Sequence, residues 1–283
     1  MRLVRYFVVV AEQLHFGRAA AQLHIAQPSL SRQIQRLEEE VGARLFDRTP
    51  RGTRLTDAGA VFLPRAKALL RSVEQAAASA RAAATPDRLA VGYTVSVIVT
   101  PAVRELRRLH PQAQVRAVHL DFDRARAALV EHRVDAVVTR LPLSTQGLRV
   151  TILYDEQRAV LLPRGHRLAG REFVTLADIA DEPLPRMLDP DYNAFWRIDP
   201  RPDGRRAPDG PLIKAIEDKF ELIADGQIVA IVPRGAHLAR PDVVSVPLRG
   251  VDPVPVVLAT RAGDNRRLLT AFRKCAEATL TGP

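Results

Sequence analysis

Apolar residues recur at helical spacing from the start of the chain. Leu3, Phe7, Val10 and Leu14 make one face of a helix over residues 2–14. Gly17 marks a break, and Arg18 to Leu23, with three alanines in a row, reads as a short helix whose small side chains allow close helix approach. His24 to Gln27 makes a turn. Pro28 suits the first position of a new helix, where its missing N–H costs nothing. Leu30, Ile34, Leu37 and Val41 then keep one face apolar up to Gly42, a good C′ residue. Short helix, turn, longer helix is the helix-turn-helix pattern. Two short extended runs, Leu45 to Arg48 and Arg54 to Thr56, flank Thr49-Pro50-Arg51-Gly52 and predict a two-stranded wing.

Thr56 can cap the next helix, which should run to about Ala84. Its apolar or small positions, Ala58, Phe62, Ala66, Leu69, Val73, Ala76, Ala80 and Ala83, alternate in steps of three and four. That is a coiled-coil seam and predicts a partner helix, although alanine is also simply a good helix former. Pro64 should bend the helix near its start. After Pro86 the pattern changes to strand–helix–strand–helix–strand: Leu89–Tyr93, Thr94–His110, Val115–Leu120, Asp123–His132 and Val134–Thr139. This predicts a parallel sheet with crossover helices. Further strands are expected at Val150–Tyr154, Arg158–Leu162, Ile228–Val232, Val243–Val246 and Val254–Ala259. A short helix should open at Thr175, with others at Ile213–Ala224 and Asn265–Leu280. Residues 189–211, with five prolines and two glycines, are expected to form an extended loop.

The 283 residues suffice for about two domains, and no apolar run approaches the roughly 18 residues of a membrane helix. No basic region, apolar core and small-residue cleavage site marks a secretory signal, so a soluble cytoplasmic protein is expected. One cysteine, Cys275, excludes an internal disulfide framework and a cysteine metal cage, and reads as a buried small apolar residue. The net charge of +10 suits nucleic acid, an anionic membrane surface or acidic ligands. It is carried by 38 arginines and four lysines, a bias that a GC-rich genome alone would produce. Within it, Arg44, Arg48, Arg51 and Arg54 face only Asp47, which gives the wing a local excess of positive charge.

The segment from His15 to Gly59, HFGRAAAQLHIAQPSLSRQIQRLEEEVGARLFDRTPRGTRLTDAG, resembles the winged helix-turn-helix of LysR-type transcriptional regulators nearly position for position. VLLPRGHRLA (Val160 to Ala169) and ELIADGQIVAIVP (Glu221 to Pro233) are similar to recurring segments of that family's effector domain, and the 189–211 stretch departs from its pattern. The resemblance implies a fold: an N-terminal winged helix-turn-helix over residues 1–56, a linker and dimerisation helix over 57–86, and an α/β effector-binding domain over 87–283. That domain would have two lobes similar to periplasmic binding proteins, lobe I at about 87–158 and 252–283 and lobe II at about 159–251. It implies double-stranded DNA, a small-molecule effector and a homodimer or homotetramer as partners, and no cofactor.

A recognition helix reads base edges in the major groove with its N-terminal end. Here that end offers Gln27, Pro28, Ser29, Ser31 and Arg32, of which all but Ser29 match residues that touch DNA in the family. Helix-start capping is the competing explanation for Gln27 and Ser29, and it is compatible with DNA contact. Arg36 can reach phosphate or pair with Glu39 or Glu40. Arg48, Arg51 and Arg54 suit phosphate or minor-groove contacts, with Arg51 the best match to the family. Effector contacts are expected beyond the strand ends of lobe I: Thr94, Val95, Ser96 and Thr100 after the first strand, Phe122 after the second, and Thr139 with Arg140 after the third. Thr94 and Ser96 at a helix N-terminus, with Arg140 as a two-pronged grip on a carboxylate, lean toward an anion; Asp121 at the same edge argues against one. Plain N-capping and a surface arginine are the competing explanations. Arg186 and Pro233 are candidate hinge or cleft residues, and Tyr192, Phe195 and Trp196 either line the cleft mouth or anchor their loop. No hydrolase, zinc-protease, P-loop or dinucleotide motif occurs, so a regulator without enzymatic activity is expected. The alternative is a solute-binding protein with no DNA-binding role, which leaves residues 1–85 without a purpose.

Overall fold

The computed structural model describes all residues except 50, 51, 85, 122, 214, 236–239 and 283, and omits the side chains of 48, 49, 52, 78, 79 and 81–83. It divides into two compact units, Met1–Ala84 and Thr85–Pro283.

The first unit is built from α1 (Arg2–Gln13), α2 (Phe16–Gln22), α3 (Gln27–Val41), the hairpin β1 (Phe46–Thr49) and β2 (Gly52–Leu55), and α4 (Asp57–Ala84). The break between α1 and α2 falls at Leu14, which ends α1 in the left-handed region, and not at Gly17, which lies inside α2. His15 caps α2 by accepting the Arg18 N–H at 3.2 Å. Gly42 terminates α3 at φ +75°, as its position predicts. Phe7 sits at the centre of the core, its ring 5.2 Å from Phe46 and 5.0 Å from Phe62. Glu38 binds the wing to α3 by accepting the N–H groups of Leu45 and Phe46 at 2.7 and 3.1 Å. Thr56 caps α4 through the Gly59 N–H and donates to the Arg44 carbonyl. The helix start packs so closely that a Cβ at Gly59 would lie 2.1 Å from the Leu45 carbonyl oxygen. Gly59→Ala is therefore expected to cost about 2–4 kcal/mol, because backbone cannot yield as a side chain can. It should appear as an earlier denaturant transition of the full chain; an unchanged profile contradicts the contact.

Helix α4 runs through Pro64 without interruption, and its apolar positions serve two faces rather than one seam. Phe62, Leu63, Ala66 and Leu70 belong to the core of the first unit. Val61, Leu69 and Val73, 72, 47 and 45% exposed, form a separate apolar stripe with the exposed Ala58, Ala76 and Ala80. Phe62 and Ala66 thus leave the expected seam and Val61 enters it.

The second unit continues with β3 (Arg88–Tyr93), α5 (Thr100–Leu109), β4 (Gln114–His119), α6 (Ala125–Val130), β5 (Ala136–Arg140) and β6 (Leu148–Glu156). Then follow β7 (Arg158–Pro163), β8 (Leu184–Arg186), α7 (Pro190–Arg197), β9 (Asp209–Leu212), α8 (Ile216–Ala224), β10 (Ala230–Pro233), β11 (Val243–Pro247), β12 (Val254–Arg261) and α9 (Arg267–Thr279). One sheet has the order β4-β3-β5-β12-β6; β3, β4 and β5 are parallel as expected, and β12 is antiparallel to both neighbours, so the sheet is mixed. A second sheet, β10-β7-β11, is antiparallel, and β8 pairs with β9. The chain crosses between the sheets twice, at Gln157 and at residues 248–253. Cys275 is buried in the core under α5 and α9.

Three expected elements differ. Residues 94–99 form turns, and α5 begins only at Thr100, because Thr94 is held inward by its own hydrogen bonds. Thr175 and Asp178 make the expected capping bonds, at 2.8 Å each, but close a turn without a helix. The proline-rich 189–211 stretch is not an extended loop throughout. Pro190 sits in the first turn of α7, where proline is tolerated, and Asp189 caps it by accepting the Tyr192 N–H.

Candidate functional site

In the first unit, α3 begins at Gln27 after Ala26, with no side-chain cap, so neither Gln27 nor Ser29 is occupied as the N-cap. Gln27, Pro28 and Arg32 are exposed, and Ser29 and Ser31 are half-buried on the same end of the helix. The two α3 arginines separate. Arg36 pairs with Glu40 at 3.0 Å, whereas no carboxylate lies within 4 Å of Arg32 among the described residues. On the wing Arg54 meets Asp47, its cross-strand neighbour, at 3.2 Å. Arg51 lies outside the described residues, as does the side chain of Arg48.

In the second unit a cavity of about 80 Å³ lies between the two sheets. Thr94, Val95, Ser96, Thr139 and Arg140 line it from the first sheet's strand ends. Tyr192, Trp196 and Arg197 of α7, Lys219 and Phe220 of α8, and Ala230–Pro233 of β10 line it from the other lobe. Pro233 is therefore a cleft residue; Arg186 is exposed, donates to the Gly210 carbonyl and does not line the cavity. Thr100 is exposed and outside the lining, and Phe122 lies outside the described residues.

The anion argument built on Thr94, Ser96 and Arg140 does not survive the geometry. Thr94 is buried and shares a 3.0 Å hydrogen bond with Thr139, six residues before α5 begins, so it does not stand at a helix N-terminus. Ser96 adopts φ +58° in the intervening turn. Arg140, 8% exposed, donates through Nε and Nη2 to Glu156 at 2.6 and 3.1 Å. Its remaining donors reach the carbonyls of Val95 and Ser96. Its charge is already neutralised and its donors are engaged, so it braces the cavity wall rather than offering a free grip.

The uncompensated charge belongs to Lys219, which sequence reasoning missed. No carboxylate lines the cavity, and among the described residues none lies within 4 Å of the Lys219 ammonium. Arg197, the other cationic neighbour, pairs with Asp209 at 2.7 Å. Burial pulls the Lys219 ammonium down to about 8, helped by the Arg140 charge, and pushes the Tyr192 phenol up to about 12. Arg158, at the first crossing, was also unforeseen as a hinge residue. It donates to the Asp252 carbonyl at the second crossing and to the Phe195 carbonyl, and stacks on the Phe195 ring at 4.4 Å. Phe195 and Trp196 thus anchor the segment, while Tyr192 and Trp196 also line the cavity.

Two family models divide the chain where the structure does. The one for the bacterial regulatory helix-turn-helix protein, lysR family, matches residues 1–60, and the LysR substrate binding domain matches residues 85–281. The chain belongs to the LysR family of transcriptional regulators. Its relatives in the family include a probable cat1 operon transcriptional activator of Acinetobacter lwoffii, 33% identical over 97% of this chain and 94% of that protein. The regulator BenM of Acinetobacter baylyi is 30% identical over 92 and 90%. The HTH-type regulator YnfL of Escherichia coli is 39% identical over 65% of this chain, and the match spans 64% of that protein, just under two thirds of its length. Among solved structures, the LysR-family regulator CbnR superposes with a TM-score of 0.67 at 23% identity over 98% of both chains. Full-length BenM superposes with a TM-score of 0.57 at 26% identity, over 98% of this chain and 95% of that one. As a LysR regulator the chain pairs a DNA-binding helix-turn-helix with an effector-binding domain. No helix among its described residues is long and apolar enough to cross a membrane.

Proposed function

We propose that this chain is a non-enzymatic, cytoplasmic regulator that binds a promoter-proximal, imperfectly palindromic site as a homo-oligomer and responds to a small anion held between its lobes. The observation that carries the reading is the pairing, in one chain, of a helix-turn-helix whose α3 start is exposed with a cavity whose uncompensated charge is cationic. Gln27, Pro28, Ser31 and Arg32 are proposed to read bases; Arg48, Arg51 and Arg54 to hold phosphates, Arg54 less firmly because Asp47 competes for it. Arg36 is assigned to its ion pair with Glu40. In the cavity, Lys219 is proposed to anchor the anion, with Thr94, Val95, Ser96 and Thr139 shaping the wall and Arg140 bracing it. At about 80 Å³ the cavity is roughly half the ~150 Å³ that admits a benzene ring, so a ring-sized effector would require the lobes to part about their two crossings.

The test is a gel-shift titration with the chain's own upstream DNA. If about six phosphates are neutralised, log K is expected to fall with log salt at a slope near −5. Arg32→Ala should cost about 1–3 kcal/mol on the cognate site and relax preference at one base pair. Arg51→Ala should weaken cognate and random DNA alike. Equal losses on both DNAs in both variants would overturn this division of labour, and a flat salt response would count against the wing.

A further inference from the structure

We propose that lobe II carries a second anion site, separate from the inter-lobe cavity, in the groove lined by Arg201, Arg206 and Arg249, and that it takes a small phosphate-bearing dianion. The groove encloses about 420 Å³ between the Thr175–Asp181 turns, the 201–208 turn and Arg249–Gly250, and shares no lining residue with the inter-lobe cavity. Its deciding side chain is Arg201, which is only 7% exposed. All three of its guanidinium nitrogens are closed to solvent and meet no hydrogen-bond acceptor among the described residues. A buried guanidinium without acceptors is a costly group, and one anion supplies what it lacks: oxygens for a planar pair of donors and an opposite charge.

The carboxylates nearby do not fill that role. The charges of Asp199 and Asp203 are felt by Arg201, yet neither lies within 4 Å, and burial still holds its guanidinium below the ordinary arginine range. Asp203 is engaged by Arg205 at 2.7 Å. Arg249 stacks on Phe173 at 4.0 Å and reaches the exposed Glu172 at 3.5 Å. Arg206 is exposed and has no carboxylate within 4 Å among the described residues. Four arginines therefore line the groove against Asp181 and Asp203, an excess of two positive charges that matches a dianion. Phosphate oxygens suit paired guanidinium donors better than a compact ammonium would. Entry requires rim side chains to move: Arg206 is exposed and without a carboxylate partner among the described residues, and Arg205 is held only by an exposed ion pair with Asp203.

The experiment is calorimetric and thermal titration of the full chain at fixed ionic strength, with inorganic phosphate and glycerol phosphate as probes. Either probe should bind and raise the melting temperature, and the tighter of the two identifies free phosphate or a phosphate monoester as the natural source. Arg201→Met should abolish the response while melting no lower than the wild type, since it removes an unpaired buried charge. Arg206→Ala, at an exposed position that folding does not need, should weaken binding about tenfold. Lys219→Met should leave the phosphate response intact, which keeps this site distinguishable from the effector cavity. A phosphate response that persists in Arg201→Met, or equal stabilisation by chloride at matched ionic strength, would overturn the proposal.

Discussion

Leu69→Arg is expected to weaken binding to operator-length DNA by about three orders of magnitude while leaving the effector-binding domain folded. The two faces of α4 explain why one residue should matter so much. Phe62, Leu63, Ala66 and Leu70 are used by the core of the first unit, so the remaining stripe of Val61, Leu69 and Val73 has no intramolecular work among the described contacts. Leu69 is 47% exposed, so arginine there costs the single chain little. In a helix pair the same position lies at the centre of the stripe, where two symmetry-related guanidinium groups would face each other. Losing the pair turns a bivalent contact with two half-sites into a single one, and the lost effective concentration is worth about 10²–10⁴ in affinity. Light scattering reports the shift to monomer, gel shift the loss of DNA binding, and ligand-induced melting the intact second unit. A monomeric variant with unchanged affinity would remove α4 from the oligomer.

How much of this was legible in the sequence depended on how local the cause was. The winged helix-turn-helix was readable because its determinants are short-range: the period of Leu30, Ile34 and Leu37, the glycine at 42 and the cap at Thr56. The seam of α4 was half-readable. A three-four spacing shows that a face is apolar but not which surface covers it, and Phe62 went to Phe7 of its own chain. Helix α7 was hidden by composition, although Asp189-Pro190 is a sound helix start, and Tyr192 and Trp196 stand one turn apart. The charges of the cavity were the least legible. Arg140 and Glu156 are sixteen residues apart, and only the sheet brings them to 2.6 Å. Lys219 looks like an ordinary surface lysine on a helix until the strand ends of the first lobe, from Thr94 to Ser96 and at Thr139 and Arg140, close the cavity over it.

That lysine should respond to pH in two ways, with opposite signs in stability and binding. Its ammonium titrates near 8 in the folded chain and at the ordinary 10.5 when unfolded. Between those values the unfolded state holds the extra proton, so stability rises with pH; below 8 the folded chain carries the full penalty of a buried charge. Removing the charge should therefore stabilise. A fall from 10.5 to about 8 corresponds to about 3 kcal/mol at most, and because the half-buried side chain keeps some solvent contact, ~2 kcal/mol is expected for Lys219→Met at neutral pH, vanishing above about pH 10.5. The neighbours should not obscure it: Arg140 and Arg197 are paired with Glu156 and Asp209, and the Tyr192 phenol stays neutral up to about 12. Binding runs the other way. A bound carboxylate favours the ammonium, so affinity should fall about tenfold between pH 7 and 9, as the free lysine loses its proton. Lys219→Met should lose that pH dependence and about 1.5–3 kcal/mol of affinity, roughly 10- to 150-fold, for any small carboxylate that raises the wild-type melting point. The variant would thus melt higher and bind weaker, a combination that simple damage to the fold does not produce. If it instead melts lower, or keeps both the wild-type affinity and its pH profile, Lys219 is a wall residue and the anion's charge is met elsewhere.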